Sequence, residues 1–278
     1  MCPSVSVRKM MMMAPLLCLA TAAACAPLRA TVVGVHRVQT ALAPSPPERS
    51  RVEGIEAVCT SGSLNWIVPV IDGVVLVDAG FDEKGEALQA ALRGRRVLAV
   101  LLTHAHPDHR AAAHLFSAPV YLGRDDVPVL LGEYRYRSLL AALGNGLGLP
   151  PVPRTLLPVD DGEVLMIGGR RFTAVALPGH TPGSTGWLSE GLFFTGDAIQ
   201  APLGDALYPA PREVTEDMRA AYQSLRKLEG LPVRTLLDGH FGRLDDPKRF
   251  LRAAIARGDD EDTLYEYPAL RPAGCAEP

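Results

Sequence analysis

The sequence has no strong excess of charge of either sign, few aromatic residues and few cysteines. Its 28 Lys and Arg residues against 31 Asp and Glu residues give a formal net charge of −3. This mild acidity gives no reason to expect a nucleic acid or an anionic membrane surface as a partner. No internal repeat of short period is present. We therefore expect one sizeable globular domain, of roughly 220 residues, from Val52 onward.

The first 24 residues have the pattern of an export signal. Arg8 and Lys9 precede an apolar run of about 15 residues, short of the ~20 that a spanning helix needs, and no acidic residue occurs before Cys25. The run ends in Ala22-Ala23-Ala24-Cys25, which resembles the bacterial lipoprotein cleavage site. We expect lipidation of Cys25 and a periplasmic protein that touches the membrane only through this anchor. Simple cleavage to a soluble periplasmic protein is the alternative.

The chain is accordingly divided into an export signal over residues 1–24, a lipidation site and tether over 25–50, and a single domain over 51–278. The run Ala43-Pro44-Ser45-Pro46-Pro47 cannot form ladder hydrogen bonds and is typical of a tether. Of the five cysteines, Cys59 and Cys275 lie within the domain. In an exported protein they either pair or remain as two inert thiols, and sequence cannot show their separation.

Periodicity predicts the elements that surround the candidate site. Residues 65–71 and 74–77 are predicted to form a β-hairpin, because Asp72-Gly73 is a favoured two-residue turn. Residues 83–92 and 215–229 show apolar positions at helical spacing. Helices are thus expected to alternate with strands.

The strongest motif is Thr103-His104-Ala105-His106-Pro107-Asp108-His109, in which three imidazoles and a carboxylate fall within six residues. It follows a continuous apolar run over residues 97–102, which predicts a strand buried on both faces. Imidazole and carboxylate together suit zinc, iron or manganese. Because one loop cannot close such a site, further ligands are expected downstream.

Three later segments repeat one pattern, in which an apolar run is followed by glycine and then by a candidate ligand. They are Leu177-Pro178-Gly179-His180, Phe193-Phe194-Thr195-Gly196-Asp197 and Leu236-Leu237-Asp238-Gly239-His240. Glycine lets the backbone turn tightly where a strand stops. Each side chain is therefore expected at a shared edge of the sheets.

Together these residues resemble the metallo-β-lactamase superfamily, whose pattern is H-x-H-x-D-H, then a separate His, an Asp and a last His. The resemblance implies an α/β fold, an αβ/βα four-layer sandwich with two central β-sheets flanked by helices. It also implies a ligand set. His104, His106 and His180 would bind one ion, Asp108, His109 and His240 the other, and Asp197 would bridge both.

The chemistry that this resemblance implies is metal-dependent hydrolysis. Two divalent ions roughly 3.5–4 Å apart lower the pKa of a water held between them, so no Ser or Cys nucleophile is needed. We expect a dinuclear zinc hydrolase, with iron or manganese as alternative metals. A metal-bridging hydroxide, oriented by Asp108 and Asp197, would cleave an ester, thioester, lactone or amide bond of a small molecule. Asp78 and Asp238 are expected to accept hydrogen bonds from ligand imidazoles.

Departures from known subfamilies leave the substrate open. Hydroxyacylglutathione hydrolases carry a helical C-terminal segment that binds glutathione, whereas residues 241–278 are all that follow His240 here, which disfavours a glutathione thioester. Zinc β-lactamases have Cys or Ser where Asp197 stands, so a β-lactamase is an alternative rather than the expectation. Lactonases share the ligand set, but no signature decides for them. A mononuclear iron oxidoreductase resembling persulfide dioxygenases and a binding lipoprotein with an idle metal site are the remaining alternatives.

The segment between His109 and His180 is longer than a minimal connection requires. Residues 126–131 and 135–143 are predicted to be helical, and the segment is too apolar for a solvated loop. It is expected either to overhang the metals, with Tyr134 and Tyr136 in the substrate pocket, or to pack over the sheet edge. The sequence leaves the oligomeric state open.

Overall fold

The structure is a computed structural model that describes residues 51–52, 54–60, 62–137 and 150–268. Its strands form a seven-stranded sheet, in the order β1 to β7, and a six-stranded sheet, in the order β13-β12-β11-β10-β9-β8. The first sheet consists of β1 (Arg51–Val52), β2 (Ile55–Thr60), β3 (Ser63–Val70), β4 (Gly73–Val77), β5 (Val97–Leu101), β6 (Val120–Gly123) and β7 (Leu156–Val159). The second consists of β8 (Val164–Ile167), β9 (Arg170–Ala176), β10 (Thr185–Ser189), β11 (Leu192–Gly196), β12 (Thr235–Asp238) and β13 (Arg243–Asp245).

Both sheets are mixed. In the first, β4 to β7 pair in parallel and the strands before them are antiparallel. In the second, only the β11–β12 pair is parallel among the described strands. The carboxyl ends of β4, β5, β11 and β12 therefore meet at one edge of the sandwich.

The predicted hairpin is present, but its turn is shifted by one residue. Val70 pairs with Gly73, so Ile71 and Asp72 form the turn, and Asp72 takes the positive φ of 64°. Glycine is required at position 73 because the backbone there lies close to Arg96: a Cβ would lie 2.3 Å from the carbonyl oxygen of Arg96. Asp tolerates left-handed backbone better than most residues. Asp72 can therefore take the positive-φ position of the turn, while Gly73 begins the next strand.

The described helices cover the outer faces of the two sheets. They are α1 (Glu86–Leu92), α2 (Pro107–Arg110), α3 (Val127–Leu130), α4 (Met218–Leu225) and α5 (Leu251–Asp259). The helix expected over 83–92 is shorter, with Gly85 at its N-cap in left-handed conformation. The helix expected over 215–229 also begins later, because the Asp217 side chain caps it by accepting the Ala220 N–H.

Side chains of one strand alternate between two cores, which produces four layers. In β5, Val100 packs on the helical side, whereas Ala99 and Leu101 face the second sheet. The inter-sheet core also contains Trp66 and Trp187, both fully buried. A third core lies between the six-stranded sheet and helices α4 and α5. The observed architecture confirms the predicted helix–sheet–sheet–helix sandwich.

Two indole groups join the sheets at the edge where the candidate ligands lie. Trp66 in β3 donates its Nε1–H to the backbone oxygen of Asp238, at 3.2 Å, and Trp187 in β10 donates to that of Leu102, at 3.0 Å. Each bond satisfies a buried polar pair across the sandwich. The relative position of the two sheets is thereby held close to the site.

Several sequence predictions lie outside the described residues. These are the export signal, lipidation of Cys25, the tether and most of the second helix expected between His109 and His180. Cys59 is disulfide-bonded, and its pairing with Cys275 stays a prediction because Cys275 is beyond residue 268. Within the described ranges, no helix combines the length and apolar character needed to cross a membrane.

Candidate metal centre

The structure brings all seven predicted ligand side chains to the shared strand edge. They come from the segment after β5, the β9–β10 loop, the end of β11 and the β12–β13 connection. These side chains are His104, His106, Asp108, His109, His180, Asp197 and His240. Strands far apart in the sequence thus deliver one cluster of five imidazoles and two carboxylates.

His104, His106 and His180 form a first triad. Nε2 of His180 lies 3.2 Å from Nε2 of His104 and 2.9 Å from Nδ1 of His106. Tetrahedral ligands at the usual zinc–nitrogen distance of about 2.0–2.1 Å lie a little over 3 Å from one another. The spacing of these nitrogens therefore suits a single ion.

Asp108, His109 and His240 form a second triad. Nε2 of His109 lies 3.4 Å from Nε2 of His240 and 3.6 Å from Oδ2 of Asp108. Asp197 stands between the triads, with Oδ2 3.6 Å from Nε2 of His180 and Oδ1 3.0 Å from Nε2 of His240. Its Oδ2 also lies 3.1 Å from Nε2 of His240, so this one carboxylate contacts side chains of both triads.

Hydrogen bonds on the far side of two first-triad rings assign their tautomers. The Thr103 hydroxyl donates to Asp78, so it accepts from Nδ1–H of His104 at 3.1 Å. The Thr215 hydroxyl donates to the Ala210 carbonyl, so it accepts from Nδ1–H of His180 at 3.3 Å. With the proton on Nδ1, each neutral ring presents the lone pair of Nε2 to the cluster.

The second triad is oriented in the same way. His109 donates Nδ1–H to Oδ2 of Asp78 at 2.8 Å, and His240 donates Nδ1–H to the carbonyl of Gly62 at 2.9 Å. Asp78 therefore lies where the sequence prediction placed it. Asp238 accepts backbone N–H groups of residues 240–242 and of Ala201. It orients the backbone that carries His240, whereas the imidazole uses Gly62.

Asp78 holds this position in an uncommon backbone conformation. Its φ is 63°, and its carboxylate also accepts the backbone N–H of Thr103 at 2.8 Å. A non-glycine residue with positive φ costs free energy and persists where its surroundings over-determine it. One buried carboxylate thus fixes the start of the histidine loop and the ring of His109.

A cation fits this cluster because acceptor atoms face one another. Nε2 of His104 and Nε2 of His180 both present lone pairs 3.2 Å apart. Oδ1 of Asp197 is buried and lies 3.4 Å from Nε2 of His109 and 3.0 Å from Nε2 of His240. Buried acceptors without a donor are costly. Metal ions would satisfy them, and imidazole nitrogen with carboxylate oxygen suits zinc or iron.

Protonation differs between the triads. Burial lowers the pKa of His104 well below its usual value, and burial lowers the pKa of His180 to about 3. Burial also opposes charge on His109, but Asp108 and the other nearby carboxylates raise its pKa to about 9. Against burial, Asp197 raises the pKa of His240 to about 10. The first triad is therefore neutral, while metal binding at the second must displace protons from Nε2.

Two glycines allow the strand ends to approach this cluster. At Gly196, whose φ is 52°, a Cβ would lie 2.2 Å from Oγ1 of Thr103. At Gly239 a Cβ would lie 2.6 Å from Cε1 of His109 and 2.8 Å from Oδ1 of Asp197. At these two positions a side chain would clash with the cluster or its support, so glycine is required before the ligand.

The two tyrosines predicted for a substrate pocket lie beside the first triad. The ring of Tyr136 packs against His106, with ring centroids 5.9 Å apart, and Tyr134 packs edge-on against Tyr136. The hydroxyl of Tyr134 donates to Glu216 at 3.5 Å. Their contact with a substrate stays a prediction. Within the His180 loop, the hydroxyl of Ser184 accepts the backbone N–H of Thr181 at 3.0 Å.

The sequence patterns did not single out Thr103, Arg110, Asp126 or Thr215, although all four support ligand segments. Thr103 and Thr215 accept from ligand rings as described above. Asp126 and Arg110 hold the backbone of the histidine loop. Only Asp126 carried a partial signal, because β6 ends in Gly123 and two carboxylates follow, although Arg124 separates them from the glycine.

The comparison with known families agrees with this arrangement. The model described as the metallo-beta-lactamase superfamily matches residues 65–240. The matched segment runs from β3 to the last histidine of the second triad, and it includes all seven clustered side chains.

Two curated relatives carry the names of hydrolases. YflN of Bacillus subtilis, named a probable metallo-hydrolase, is 29% identical over 198 residues, covering 60% of this chain and 74% of that protein. A hydroxyacylglutathione hydrolase of Cereibacter sphaeroides is 32% identical over 162 residues, covering 57% of this chain and 54% of that protein. The chain thus spans about half the length of the latter relative.

A solved structure extends the likeness to a metal-loaded protein. TTHA1623, crystallised in a di-iron-bound form, is 31% identical, with a TM-score of 0.52, and the match covers 66% of this chain and 89% of that chain.

Proposed function

The chain belongs to the metallo-β-lactamase superfamily, and we propose that it is a dinuclear zinc hydrolase of a small molecule. The bond cleaved is an ester, thioester, lactone or amide. The observation that supports two metal positions most directly is Asp197. Its Oδ2 lies 3.6 Å from Nε2 of His180 and 3.1 Å from Nε2 of His240, and its Oδ1 lies 3.4 Å from Nε2 of His109, so the carboxylate lies within reach of both triads, as a bridging ligand would.

Each triad holds one ion, and Asp197 is shared between them. Two bound ions would supply a water of lowered pKa and Lewis acidity toward the attacked carbonyl. Asp108 is the most exposed carboxylate of the cluster, with 21% of its side chain accessible. We therefore place the substrate on the side of Asp108 and His240, with Asp108 orienting the attacking water and accepting its proton.

Asp78, Thr103, Thr215 and the Gly62 carbonyl contribute by keeping rings in the required tautomer. Each accepts an Nδ1–H, so that Nε2 is the atom offered to the cluster. Partners of this kind are worth 10–100-fold in metal affinity or activity. Zinc β-lactamases have Cys or Ser at the position of Asp197. The carboxylate therefore favours a hydrolase other than a dedicated β-lactamase.

A mononuclear iron oxidoreductase resembling persulfide dioxygenases is the second candidate. The di-iron-bound form of TTHA1623, which is 31% identical to this chain, supports only the choice of iron as the metal. The histidine and carboxylate donors of the cluster accept iron as well as zinc. Metal identity therefore separates the two candidates.

Substrate and cellular location are proposed on narrower grounds. The hydroxyacylglutathione hydrolase likeness supports a thioester or related acyl compound, with no nucleic acid involved. The pattern of residues 1–25 supports export to the periplasm, and lipidation at Cys25 supports attachment to the membrane.

The test is the metal content of the purified protein, measured by elemental analysis after expression without added metal. We expect two zinc ions per chain, both lost in Asp197→Ala. Asp160→Ala, which removes an exposed carboxylate paired with Arg124, should keep both. One iron per chain without zinc would refute the hydrolase and favour the oxidoreductase. With two zinc ions present, turnover of lactones, thioesters and β-lactams identifies the bond cleaved.

A further inference from the structure

Asp126 is a fully buried carboxylate outside the predicted ligand set. It ends a short 3₁₀ turn that follows β6 and precedes α3. Its Oδ2 accepts the backbone N–H of Ala105 and the hydroxyl of Thr181, both at 2.8 Å, and its Oδ1 accepts the backbone N–H of Gly183 at 2.7 Å. Three donors thus converge on two oxygens.

The donors belong to the two loops that supply the first triad. Ala105 lies between His104 and His106, and Thr181 follows His180 directly. These loops come from different sheets, since the first follows β5 and the second joins β9 to β10. Asp126 is therefore a link between the two halves of one metal position.

The same peptide is held from its other side by Arg110. This buried guanidinium donates from Nε to the carbonyl of Ala105 at 2.7 Å, and its terminal nitrogens donate to the carbonyls of Pro150 and Leu130. Both polar groups of Ala105 are thereby bonded to ionised side chains, and such bonds are stronger than neutral ones. The backbone between His104 and His106 has little freedom to shift.

The packing around Asp126 is close as well as polar. A Cβ on Gly183 would lie 2.2 Å from the backbone N of Asp126, and a Cβ on Gly123 would lie 2.1 Å from the carbonyl oxygen of Gly183. Burial raises the pKa of Asp126 to about 6, even though its three donors lower it. A buried charge of this kind is retained where its geometry is used.

We propose that Asp126 is a positioning residue that sets the separation of the His104–His106 loop from His180, and so the affinity of the first metal position. The inference rests on the proposed function only in that the first triad binds a metal. Asp78 bonds the ring of His109 directly and reaches the first triad only through the Thr103 hydroxyl beside His104. Asp126, in contrast, bonds the two loops that carry the first triad.

An amide cannot replace this carboxylate. Asn has one acceptor oxygen and one donor group, so Asp126→Asn places an NH₂ against a backbone N–H or against the Thr181 hydroxyl. At least one donor of the two loops is then left without an acceptor. The loops should relax relative to each other without any loss of a ligand side chain.

The experiment is titration of the full metal-free chain with Zn²⁺ against a chromophoric chelator, repeated with Co²⁺ and read by its absorption spectrum. Asp126→Asn should weaken one of the two bound ions 10–100-fold and alter the cobalt spectrum of that ion alone. Asp161→Asn, which alters an exposed carboxylate that also accepts one backbone N–H, should bind both ions as the unaltered protein does. Asp78→Asn should weaken the other ion.

Two variants keep the test decisive if Asp126→Asn does not fold. Thr181→Val removes one of the three donors and should weaken the same ion, whereas Thr181→Ser, which keeps the hydroxyl, should restore it. Two ions bound to Asp126→Asn or to Thr181→Val with unaltered affinity would overturn the inference, as would equal weakening of both ions. If the unaltered chain bound no metal, the proposed function itself would fail.

Discussion

Asp78→Asn should weaken the binding of one metal ion while leaving the shape of the protein almost unchanged. Asn has the size of Asp and tolerates the left-handed backbone, with φ of 63°, that position 78 requires. If the amide oxygen keeps the bond to the Thr103 N–H, the NH₂ group faces Nδ1 of His109. His109 must then carry its proton on Nε2, the atom that the second triad needs as a lone pair.

The expected loss of metal affinity follows from two hydrogen bonds that Oδ2 of Asp78 accepts and an NH₂ group cannot. Their donors are Nδ1–H of His109 and the hydroxyl of Thr103. A partner that sets the tautomer of a ligand imidazole is worth 10–100-fold in metal affinity, or about 1.4–2.8 kcal/mol. Folding is weakened in addition, because a charge-assisted bond in a buried site is missing, at a cost of about 1–3 kcal/mol. His109 bonds Asp78 directly, whereas the first triad reaches Asp78 only through the Thr103 hydroxyl beside His104, so the first ion should be weakened less.

The assay is a Zn²⁺ titration against a chelator, together with urea unfolding of the metal-free protein. The matched control is Asp72→Asn, because Asp72 has the same left-handed backbone, with φ of 64°, at the opposite end of the same strand. We expect the control to bind both ions normally. If Asp78→Asn bound two ions with unaltered affinity, the tautomer assignment at His109 would be wrong.

Three further predictions concern the surroundings of the cluster. Thr215→Val removes the acceptor of His180 Nδ1–H and should weaken the binding of one ion by roughly tenfold, as measured by chelator competition. Thr215→Ser keeps the hydroxyl and should bind both ions normally; equal affinity in the unaltered protein and both variants would contradict this prediction. Removing the metals should lower the melting temperature by roughly 5–10 °C, since ions at 100 times Kd stabilise by about 2.7 kcal/mol; a calorimetric scan that is unchanged by chelation would count against a bound ion. Trp187→Phe leaves the buried Leu102 carbonyl without its donor and should cost about 2–4 kcal/mol in urea unfolding, whereas no loss would show that the inter-sheet bond is dispensable.

Local patterns in the sequence were sufficient for the ligand positions and the type of fold. A buried strand, a glycine and then a ligand is a short-range signal, because the turn and the side chain it delivers lie within a few residues. The clustering of His104, His180 and Asp197 follows from repeating that signal, whereas the two-sheet sandwich was implied by the family resemblance. Helix ends were less predictable, as at residues 215–229, because the Asp217 cap decides where α4 begins.

The support of the site was decided by tertiary structure. Asp126 contacts residues 21, 55 and 57 positions away, and Thr215 contacts His180 from 35 positions away. Asp238 was expected to accept from an imidazole, but the close approach of the β2–β3 turn gives the His240 ring the Gly62 carbonyl instead. Residue type and spacing thus determined which groups form the candidate metal cluster, whereas the tautomer and separation of those groups depend on contacts that exist only after the two sheets have packed.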